Sequence, residues 1–474
     1  MSRRSLWWSE WKLLASERTP WLLLALFVLV MGYGAWNGHR WASFQQTTLD
    51  TLLAADETRL ARLDSLVQRV TNDSTVTVPP AGALGATGAT RHAILPVPAL
   101  APLAVGVSDL HPYYARVSVR SKETFSVNDE IENPHNLLVG RFDLSFVIVY
   151  VFPLFLLALT YNVVSGERDR GTMALWMAQP VAPRRLLLVK LAVRVGYVLA
   201  VTALLLILCA MAVGIPLDTM ATWTRLALWM GVALAYGAFW MALVLAVNAL
   251  GRSSATNAVP LLGAWLLTVV VLPSTIAAAI VTVHPAPSRI ALTTALRETS
   301  DQAAAQGDTA VNQFLADHPE MLQTGSLKSS NTWARTLALQ ERTADAMRPT
   351  YAAFDSALAA QQQAARVASF LSPAVVTQEL LYEVAGRGMN RLQRYQQQID
   401  GFHQEWQRFF FGRVFRDQRF TAADLTALPR FVFQEQPVRA AFAEWWGLIA
   451  ALVLPTVLIG SWAFRRLRRI TITG

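Results

Sequence analysis

The chain has 474 residues, of which 53% are hydrophobic and only 15% charged, and its formal net charge is +9. This composition excludes an ordinary soluble globular protein and indicates a membrane protein. The charge does not indicate a nucleic-acid partner, because residues 37–143 carry nine basic and eleven acidic side chains and residues 284–443 carry sixteen and fifteen. The positive excess lies at the ends of the apolar segments, where it meets lipid headgroups.

Six apolar segments are each long enough for a transmembrane helix, which needs about twenty mostly apolar residues. Lipid offers no partner to backbone amides, so each segment is expected to be helical. The predicted fold is an all-α polytopic membrane protein with six transmembrane helices. In chain order the predicted spans are residues 20–36, 144–165, 186–215, 223–250, 258–283 and 445–464.

Basic residues cluster at the termini and at the short connections between spans. Because Lys and Arg near span ends stay in the cytoplasm, both termini are predicted to be cytoplasmic, including the tail 465–474. Residues 37–143 and 284–444 then form two mainly helical extracytoplasmic segments, the second predicted to be a domain. The basic residues are Arg3, Arg4, Lys12, Arg18, Arg168, Arg170, Arg184, Arg185, Lys190, Arg252, Arg465, Arg466, Arg468 and Arg469.

Residues 1–19 precede the first span and contain Leu6, Trp7, Trp11 and Leu14 near helical spacing. One interpretation is a helix lying in the cytoplasmic interface of the membrane, and the other is a simple aromatic anchor for the first span. A secretory signal peptide is disfavoured, because the apolar run is longer than usual and no small-x-small cleavage site follows it.

The first long polar segment divides by composition. Residues 50–70 repeat Leu and Val near helical spacing among charged residues, which predicts an amphipathic helix. Residues 71–90, TNDSTVTVPPAGALGATGAT, are rich in Thr, Gly, Ala and Pro and have no apolar periodicity. That composition predicts a mobile linker.

The second long segment contains an Ala- and Gln-rich helical pattern over Thr332–Phe370, which Pro349 is expected to bend or break. Ser372 is expected to cap a new helix with Pro373 at its first position, and glycines 386 and 388 to end it. The next helix repeats aromatic residues along one face. They form either an internal packing face or a surface for a substrate or partner. These aromatic residues are Phe402, Trp406, Phe409 and Phe410.

The chain lacks the usual signatures of an enzyme. It has no GxxxxGK[ST] phosphate-binding loop, no HExxH and no CxxC, and its single cysteine, Cys209, lies in the third apolar segment. Ionisable residues are scarce within the spans, whereas transporters driven by ion gradients usually contain several. If the membrane domain moves a substrate, the energy is therefore expected to come from another chain.

The stretch GERDRGTMALWMAQPVAPRR, residues 166–185, is a charged connection between the second and third predicted spans. Met173, Trp176, Met177 and Pro180 fall at i, i+3, i+4 and i+7. This spacing predicts a short helix on the cytoplasmic face, with its apolar stripe against the spans and its charged first turn towards a partner. The alternative is a plain loop that only obeys the positive-inside rule.

This stretch resembles the signature of ABC-2 type transporter permeases, whose pattern runs approximately E-x-x-x-G-T-x-x-x-L-x-x-x-P-[VI]-x-R, followed by a Lys on the next span. The matching residues are Glu167, Gly171, Thr172, Leu175, Pro180, Val181, Arg184 and Lys190; Val189 stands where the family usually has Gly. In that family the segment is a coupling helix that docks on a separate ATP-binding subunit. The resemblance implies polar contacts from Glu167, Arg168 and Arg170, close approach at Gly171, and anchoring by Met173, Leu175, Trp176 and Met177.

Three further stretches resemble the branch of these permeases that has two large extracytoplasmic insertions: NPHNLLVGRFDLSFVIVYVFPLFLLALTYNVVSGERDRGT, LSPAVVTQELLYEVAGRG and ALPRFVF. The resemblance implies a permease subunit of an ATP-driven exporter in the bacterial cytoplasmic (inner) membrane. A pair of ABC ATP-binding subunits would bind ATP and Mg²⁺, so that this chain needs no cofactor, and a second copy or a similar permease would complete the path. The alternatives are mechanotransmission to an envelope partner with no substrate crossing, and a membrane-anchored extracytoplasmic binding module.

Overall fold

The computed structural model describes residues 15–72, 77–120, 142–163, 165–169, 183–250, 253–285, 288–319, 331–416 and 418–467, with residues 8, 11, 12 and 171. A few side chains within these ranges are not described, among them those of Glu167 and Arg168. The described chain is almost entirely helical and contains one small sheet. The all-α class predicted from the apolar segments is thereby confirmed.

The helices and strands, leaving aside short helical turns between residues 81 and 109, are as follows in chain order. They are α1 (Arg18–Asn72), β1 (Arg91–Ile94), β2 (Tyr114–Val117), α2 (Leu144–Thr160), α3 (Ser165–Asp169), α4 (Pro183–Ala212), α5 (Met220–Asn248), α6 (Ser254–Val283), α7 (Arg289–Gln306), α8 (Asp308–Asp317), α9 (Thr332–Ser369), α10 (Pro373–Val384), α11 (Met389–Phe415), α12 (Ala422–Thr426) and α13 (Val438–Leu467). The strands pair antiparallel, with Arg91 opposite Val117.

Five of these helices, α1, α4, α5, α6 and α13, are long and apolar enough to cross a membrane. The second predicted span, residues 144–165, corresponds to α2, which is apolar but shorter. At 1.5 Å per residue α2 is about 26 Å long, somewhat less than a hydrocarbon core of about 30 Å. The structure therefore confirms five of the six predicted segments as candidate spans, and the remaining one, residues 144–165, is a shorter apolar helix.

Helix α1 is a single helix of 55 residues, about 80 Å long. The predicted first span and the predicted amphipathic helix at 50–70 are therefore parts of one continuous helix. Near its start, Phe27 and Met31 are buried in the core formed by the apolar helices, which we call the bundle. Near its end, Leu63 and Val67 are buried in a second core, which we call the head.

The bundle core includes a helix from the segment predicted to be extracytoplasmic. Leu380 and Leu381 of α10 are fully buried among the apolar helices. Ser372, just before α10, donates its hydroxyl to the carbonyl oxygen of Thr268, at 2.7 Å, near the middle of α6. At the other end of α10, Arg225 of α5 donates to the carbonyl oxygen of Val384 at 3.4 Å. Helix α10 thus lies beside both helices, with its start near the middle of α6 and its end near the start of α5.

The carbonyl oxygen of Thr268, which accepts the hydrogen bond from Ser372, lies in an irregular part of α6. Residues Leu266–Val271 form a π turn, in which the carbonyl of residue i faces the amide of residue i+5. For Thr268 that residue is Pro273, which has no N–H. A carbonyl left without a backbone donor in an apolar environment is costly, so the hydroxyl of Ser372 both caps α10 and satisfies α6.

The head core is built jointly from both long polar segments. Leu63, Ala93 and Val117 of the first segment pack with Leu337 and Trp406 of the second. Residues 284–444 therefore do not bury a core separate from residues 37–143. Of the aromatic residues along α11, Phe402, Trp406 and Phe410 are buried and Phe409 is partly buried, which confirms the interpretation of an internal packing face.

The prediction of a mobile linker at residues 71–90 is wrong for the part that the structure describes, residues 77–90. Leu84, Ala86 and Ala89 are buried in the head core. The glycines here are required by close packing: a Cβ on Gly85 would lie 2.6 Å from a methyl group of Val119 and 2.8 Å from the ring of Phe410. Small residues indicated disorder by composition, but in this fold they make room for aromatic rings.

Two local predictions concern Pro349 and Ser372. Pro349 lies inside α9, which continues to Ser369 without a break. Ser372 caps α10 by accepting a hydrogen bond from the amide of Val375, with proline in the first turn, as predicted. Gly386, which follows the helix, has a φ of +74°.

We expect Gly85→Ala to destabilise the protein by about 1–3 kcal/mol, because the added methyl group meets Val119 and Phe410 in a packed core. The matched control is Gly401→Ala within α11, where a Cβ has no described neighbour within 4 Å. Alanine in an exposed helix interior is expected to stabilise by about 0.5–1 kcal/mol. Thermal unfolding of the full chain in detergent measures both changes. Equal unfolding midpoints for the native chain and Gly85→Ala would mean that residues 77–90 are not packed.

Candidate functional site

The segment predicted to couple to an ATPase lies largely outside the described residues. This holds for Arg170, Thr172, Met173, Leu175, Trp176, Met177 and Pro180. The backbone of Glu167 and Arg168 belongs to α3, and Gly171 is described. The structure therefore describes how the chain enters this segment through α3 and leaves it through α4.

Helix α3 is held against the connection between α5 and α6. The amide of Ser165 donates to the side-chain oxygen of Asn248 at 3.4 Å, and the hydroxyl of Ser254 donates to the hydroxyl of Ser165 at 3.0 Å. The amide of Ser254, at the first turn of α6, donates to the carboxylate of Asp169 at 3.0 Å. Both ends of α3 are thus hydrogen-bonded to the point where the chain turns from α5 into α6.

Asn248 is the centre of this arrangement. It is 2% exposed, and its amide group donates to the carbonyl oxygens of Tyr161, at 3.0 Å, and Val244, at 2.9 Å. Its side-chain oxygen also accepts a hydrogen bond from the amide group of Asn257 at 3.4 Å. Asn248, Asn257, Ser165 and Ser254, together called the asparagine cluster below, therefore join the end of α2, helix α3, the end of α5 and the start of α6.

The exit from the segment is also attached to α2. Arg194 of α4 donates to the carbonyl oxygen of Leu159 at 3.3 Å and to the side-chain oxygen of Asn162 at 3.4 Å. Lys190, which fills the lysine position of the resemblance, is 2% exposed. Asn162 therefore serves as an internal acceptor between α2 and α4.

Gly171 has a φ of +69°, in the left-handed region that side chains other than glycine rarely adopt. Among the described residues, nothing lies within 4 Å of the position that a Cβ would take. The backbone conformation therefore accounts for a glycine at this position without any close neighbour.

The arrangement is a set of hydrogen bonds that connects the ends of helices. Its members are amides, hydroxyls and one carboxylate in hydrogen bonds with each other and with backbone groups. Among the described residues, no group of three or more His, Cys, Asp or Glu side chains is placed to hold a metal ion. What the asparagine cluster can do is transmit a displacement of α3 to α2, α5 and α6 together.

From the sequence alone, Asn248 and Asn257 are only polar residues near or within predicted spans. The signal available was an asparagine at the end of one apolar segment and another at the start of the next, nine residues apart. Thr202, a polar residue within the third predicted span, does not join the cluster, because its hydroxyl donates to the carbonyl oxygen of Val198 in its own helix.

We expect Asn248→Leu to release α3, because it removes the acceptor of Ser165 and the donor to Tyr161 while keeping a similar volume. Leaving such buried groups unpaired costs about 1–3 kcal/mol. Hydrogen exchange of peptides covering residues 161–171 should become faster in this variant. Thr202→Val is the matched control, since it removes a buried hydroxyl that bonds only within α4. Unchanged exchange at 161–171 in Asn248→Leu would show that the cluster does not hold α3.

Residues 289–434 match a protein-family model described as a domain of unknown function (DUF3526). The matched region begins at α7 and includes α10 and α11, so it spans part of the head and the helix inserted into the bundle. No curated protein and no solved structure matches the chain. The matched region is less than half of the chain and its description names no activity.

Proposed function

We propose that this chain is the membrane-spanning permease subunit of an ATP-driven transporter of the ABC-2 type, acting as an exporter. A separate pair of ATP-binding subunits would bind residues 166–185 in the cytoplasm and supply the energy. The head would then lie on the opposite, extracytoplasmic side of a bacterial inner membrane. The chain itself would carry no nucleotide.

The observation that carries this proposal is the attachment of α3. A segment that receives a push from a cytoplasmic partner must be fixed to the helices that it moves. Helix α3 forms the start of residues 166–185 and is hydrogen-bonded to the ends of α2, α5 and α6 through Asp169 and the asparagine cluster. Through these contacts a displacement of this segment would pass directly to three helices of the bundle, which supports a coupling segment.

The exposure of α6 supports a bilayer and a second permease copy as partners. Most of its apolar side chains, including Val259, Leu262 and Leu267, are exposed in the isolated chain. Such a face is stable only against lipid or against another apolar helix surface. A path between two permeases would place one face of each bundle against its neighbour and leave the remainder to lipid.

In the proposed complex, Glu167 and Arg170 make polar contacts with the ATPase. We expect Glu167→Gln and Arg170→Gln each to weaken binding of that subunit about tenfold or more, because hydrogen bonds to charged groups are worth about 1.5–3 kcal/mol. Membrane insertion and thermal stability should not change. Affinity purification from the native membrane, with mass spectrometry and an ATPase assay, measures recovery of the subunit.

The matched controls for these variants are Glu298→Gln and Arg348→Gln, which change the same charges at exposed positions of the head. Replacement of Gly171 and Trp176 together should abolish recovery of the ATPase. A well-folded native chain that copurifies only with envelope proteins and shows no ATPase activity would contradict the proposal and favour the membrane-anchored binding module.

A second candidate function is mechanotransmission, in which ATP hydrolysis moves the head and no substrate crosses the membrane. The observation that favours it is α1, which runs without interruption from the bundle core at Phe27 to the head core at Val67. A continuous helix transmits displacement over its whole length, whereas a flexible linker would lose it.

Softening α1 between its two cores separates the two functions. Thr47→Gly with Thr51→Gly lowers helix stability by about 1 kcal/mol per site relative to alanine, so Thr47→Ala with Thr51→Ala is the control. The hydroxyls of both threonines bond only to carbonyls of α1. Mechanotransmission predicts that nucleotide-dependent hydrogen exchange disappears from the head in the glycine variant while persisting in α4. Persistence in both regions would show that α1 does not transmit the displacement and would argue against mechanotransmission through this helix.

A further inference from the structure

A small cleft with a cavity volume of about 20 Å³ lies at the junction of the head and the bundle. It is formed by the loop Gly386–Gly388 between α10 and α11, by residues 107–113, and by Gln45 of α1. Its walls include apolar side chains from Leu95, Val97 and Leu392. The cleft is far along the chain from residues 166–185 and has no part in the coupling contacts described above.

The polar centre of this cleft is Arg387. Its side chain is 6% exposed, and its Nε and Nη2 atoms have no hydrogen-bond partner in the described part of the chain. An unpaired charge in a nearly dry position is costly, and buried guanidinium groups are normally paired. The donors of Arg387 are therefore available to a group that enters the cleft.

The backbone around Arg387 is fixed by close contacts. The amide of Val107 donates to the carbonyl oxygen of Arg387 at 3.1 Å. Gly106 has a φ of +60°, and a Cβ at this position would lie 2.6 Å from the Cβ of Arg387. Only glycine allows this approach, so the sequence places the arginine against a preformed wall and does not leave it on a mobile loop.

The nearby charges do not neutralise Arg387. Arg391, which is 5% exposed, is paired with Glu435 and donates to the carbonyl oxygen of Pro96 at 2.9 Å. Burial, followed by the repulsion of Arg391, lowers the pKa of Arg387 to about 9, while Tyr113 and Asp109 act in the opposite direction. Arg387 therefore remains charged at neutral pH.

Two further features favour an anion with a hydrogen-bond donor of its own. Gln45 is fully buried and donates to the carbonyl oxygen of Ser108 at 3.3 Å, but its side-chain oxygen has no partner in the described structure. Helix α11 begins at Gly388 without a side-chain cap, so the positive end of its dipole lies beside the cleft, although Glu383 accepts the amide of Asn390 at 3.1 Å.

We propose that this cleft is a binding site for an anionic oxygen group, a carboxylate or a phosphate, whose oxygens accept hydrogen bonds from Arg387. A hydroxyl or amide N–H on the same ligand donates to the side-chain oxygen of Gln45, and a short apolar portion contacts Leu95, Val97 and Leu392. This site is independent of the proposed transport function, because it follows from the cleft and its unpaired groups alone.

Two sources supply an anionic oxygen group of this kind: a phospholipid headgroup and a small soluble anion. Gln45 lies nine residues beyond Trp36 on α1, about 13 Å along the helix, and Tyr33 and Trp36 are exposed aromatic residues of the kind found at membrane interfaces. The cleft is therefore close enough to a membrane surface for a phospholipid headgroup, and a small soluble anion offers the same oxygen atoms.

The test uses the purified full chain, with Arg387→Met and the exposed Arg348→Met as the matched control. Thermal unfolding is measured in an uncharged detergent with added phosphate, hexanoate, or chloride at equal ionic strength, and in nanodiscs of phosphatidylcholine with and without phosphatidylglycerol. We expect phosphate or hexanoate, or else phosphatidylglycerol, to raise the unfolding midpoint of the native chain and of Arg348→Met by several degrees. Protection by the soluble anions identifies a soluble ligand, and protection by the anionic lipid alone identifies a headgroup.

Arg387→Met should lose this protection, and without ligand it should unfold at the same temperature as the native chain or higher, because it removes an uncompensated buried charge. If Arg387 had only a structural role, Arg387→Met without ligand would instead have a lower unfolding midpoint than the native chain. If Arg387→Met does not fold, Arg387→Lys keeps the charge with fewer donors and should show reduced protection. Absence of protection of the native chain by every anion and lipid overturns the proposal.

Discussion

A single buried carboxylate holds the junction between bundle and head. Asp143 is 1% exposed, and its two oxygens accept hydrogen bonds of 2.7 Å from the amides of Val105 and Phe146. The second bond starts α2, and the first fixes the segment that reaches into the bundle core. Burial outweighs both hydrogen bonds and raises the pKa of Asp143 to about 6. Because Gly34 of α1 also packs against the Asp143 carbonyl, three parts of the chain must assemble together.

Because this junction joins distant parts of the chain, only features that depend on local patterns could be predicted from the sequence. The apolar segments and the cap at Ser372 depend on local patterns, and they are found where they were expected. Helix α10 could not be recognised as part of the bundle, because its twelve residues are too few for a span. Its place depends on Ser372 meeting the carbonyl oxygen of Thr268, 104 residues away. Likewise, nothing local indicates that Gly85 faces Phe410 and is not part of a disordered linker.

In the candidate site, too, some features follow from a local pattern and others depend on contacts between distant residues. The pattern of residues 166–185 predicts a coupling segment by resemblance, but it does not show which helices that segment is attached to. The attachment depends on Ser165 meeting Asn248, 83 residues further along the chain. Polar residues near span ends are common, and only the fold distinguishes an asparagine that joins four elements from Thr202, which bonds within its own helix. Arg387 is similar, because only the fold shows that its side chain is buried and that its Nε and Nη2 atoms have no partner in the described structure.

The two proposed sites are connected by the same pair of helices. At one end of the bundle, α5 and α6 hold α3 through the asparagine cluster; further along, they contact α10 through Arg225 and Thr268. Helix α10 ends at the loop that carries Arg387. A displacement of α5 relative to α6 at the coupling segment would therefore shift α10 and alter the cleft. Thermodynamic linkage makes such an effect reciprocal: an anion that prefers one position of α10 would also favour one state of the ATPase-bound segment.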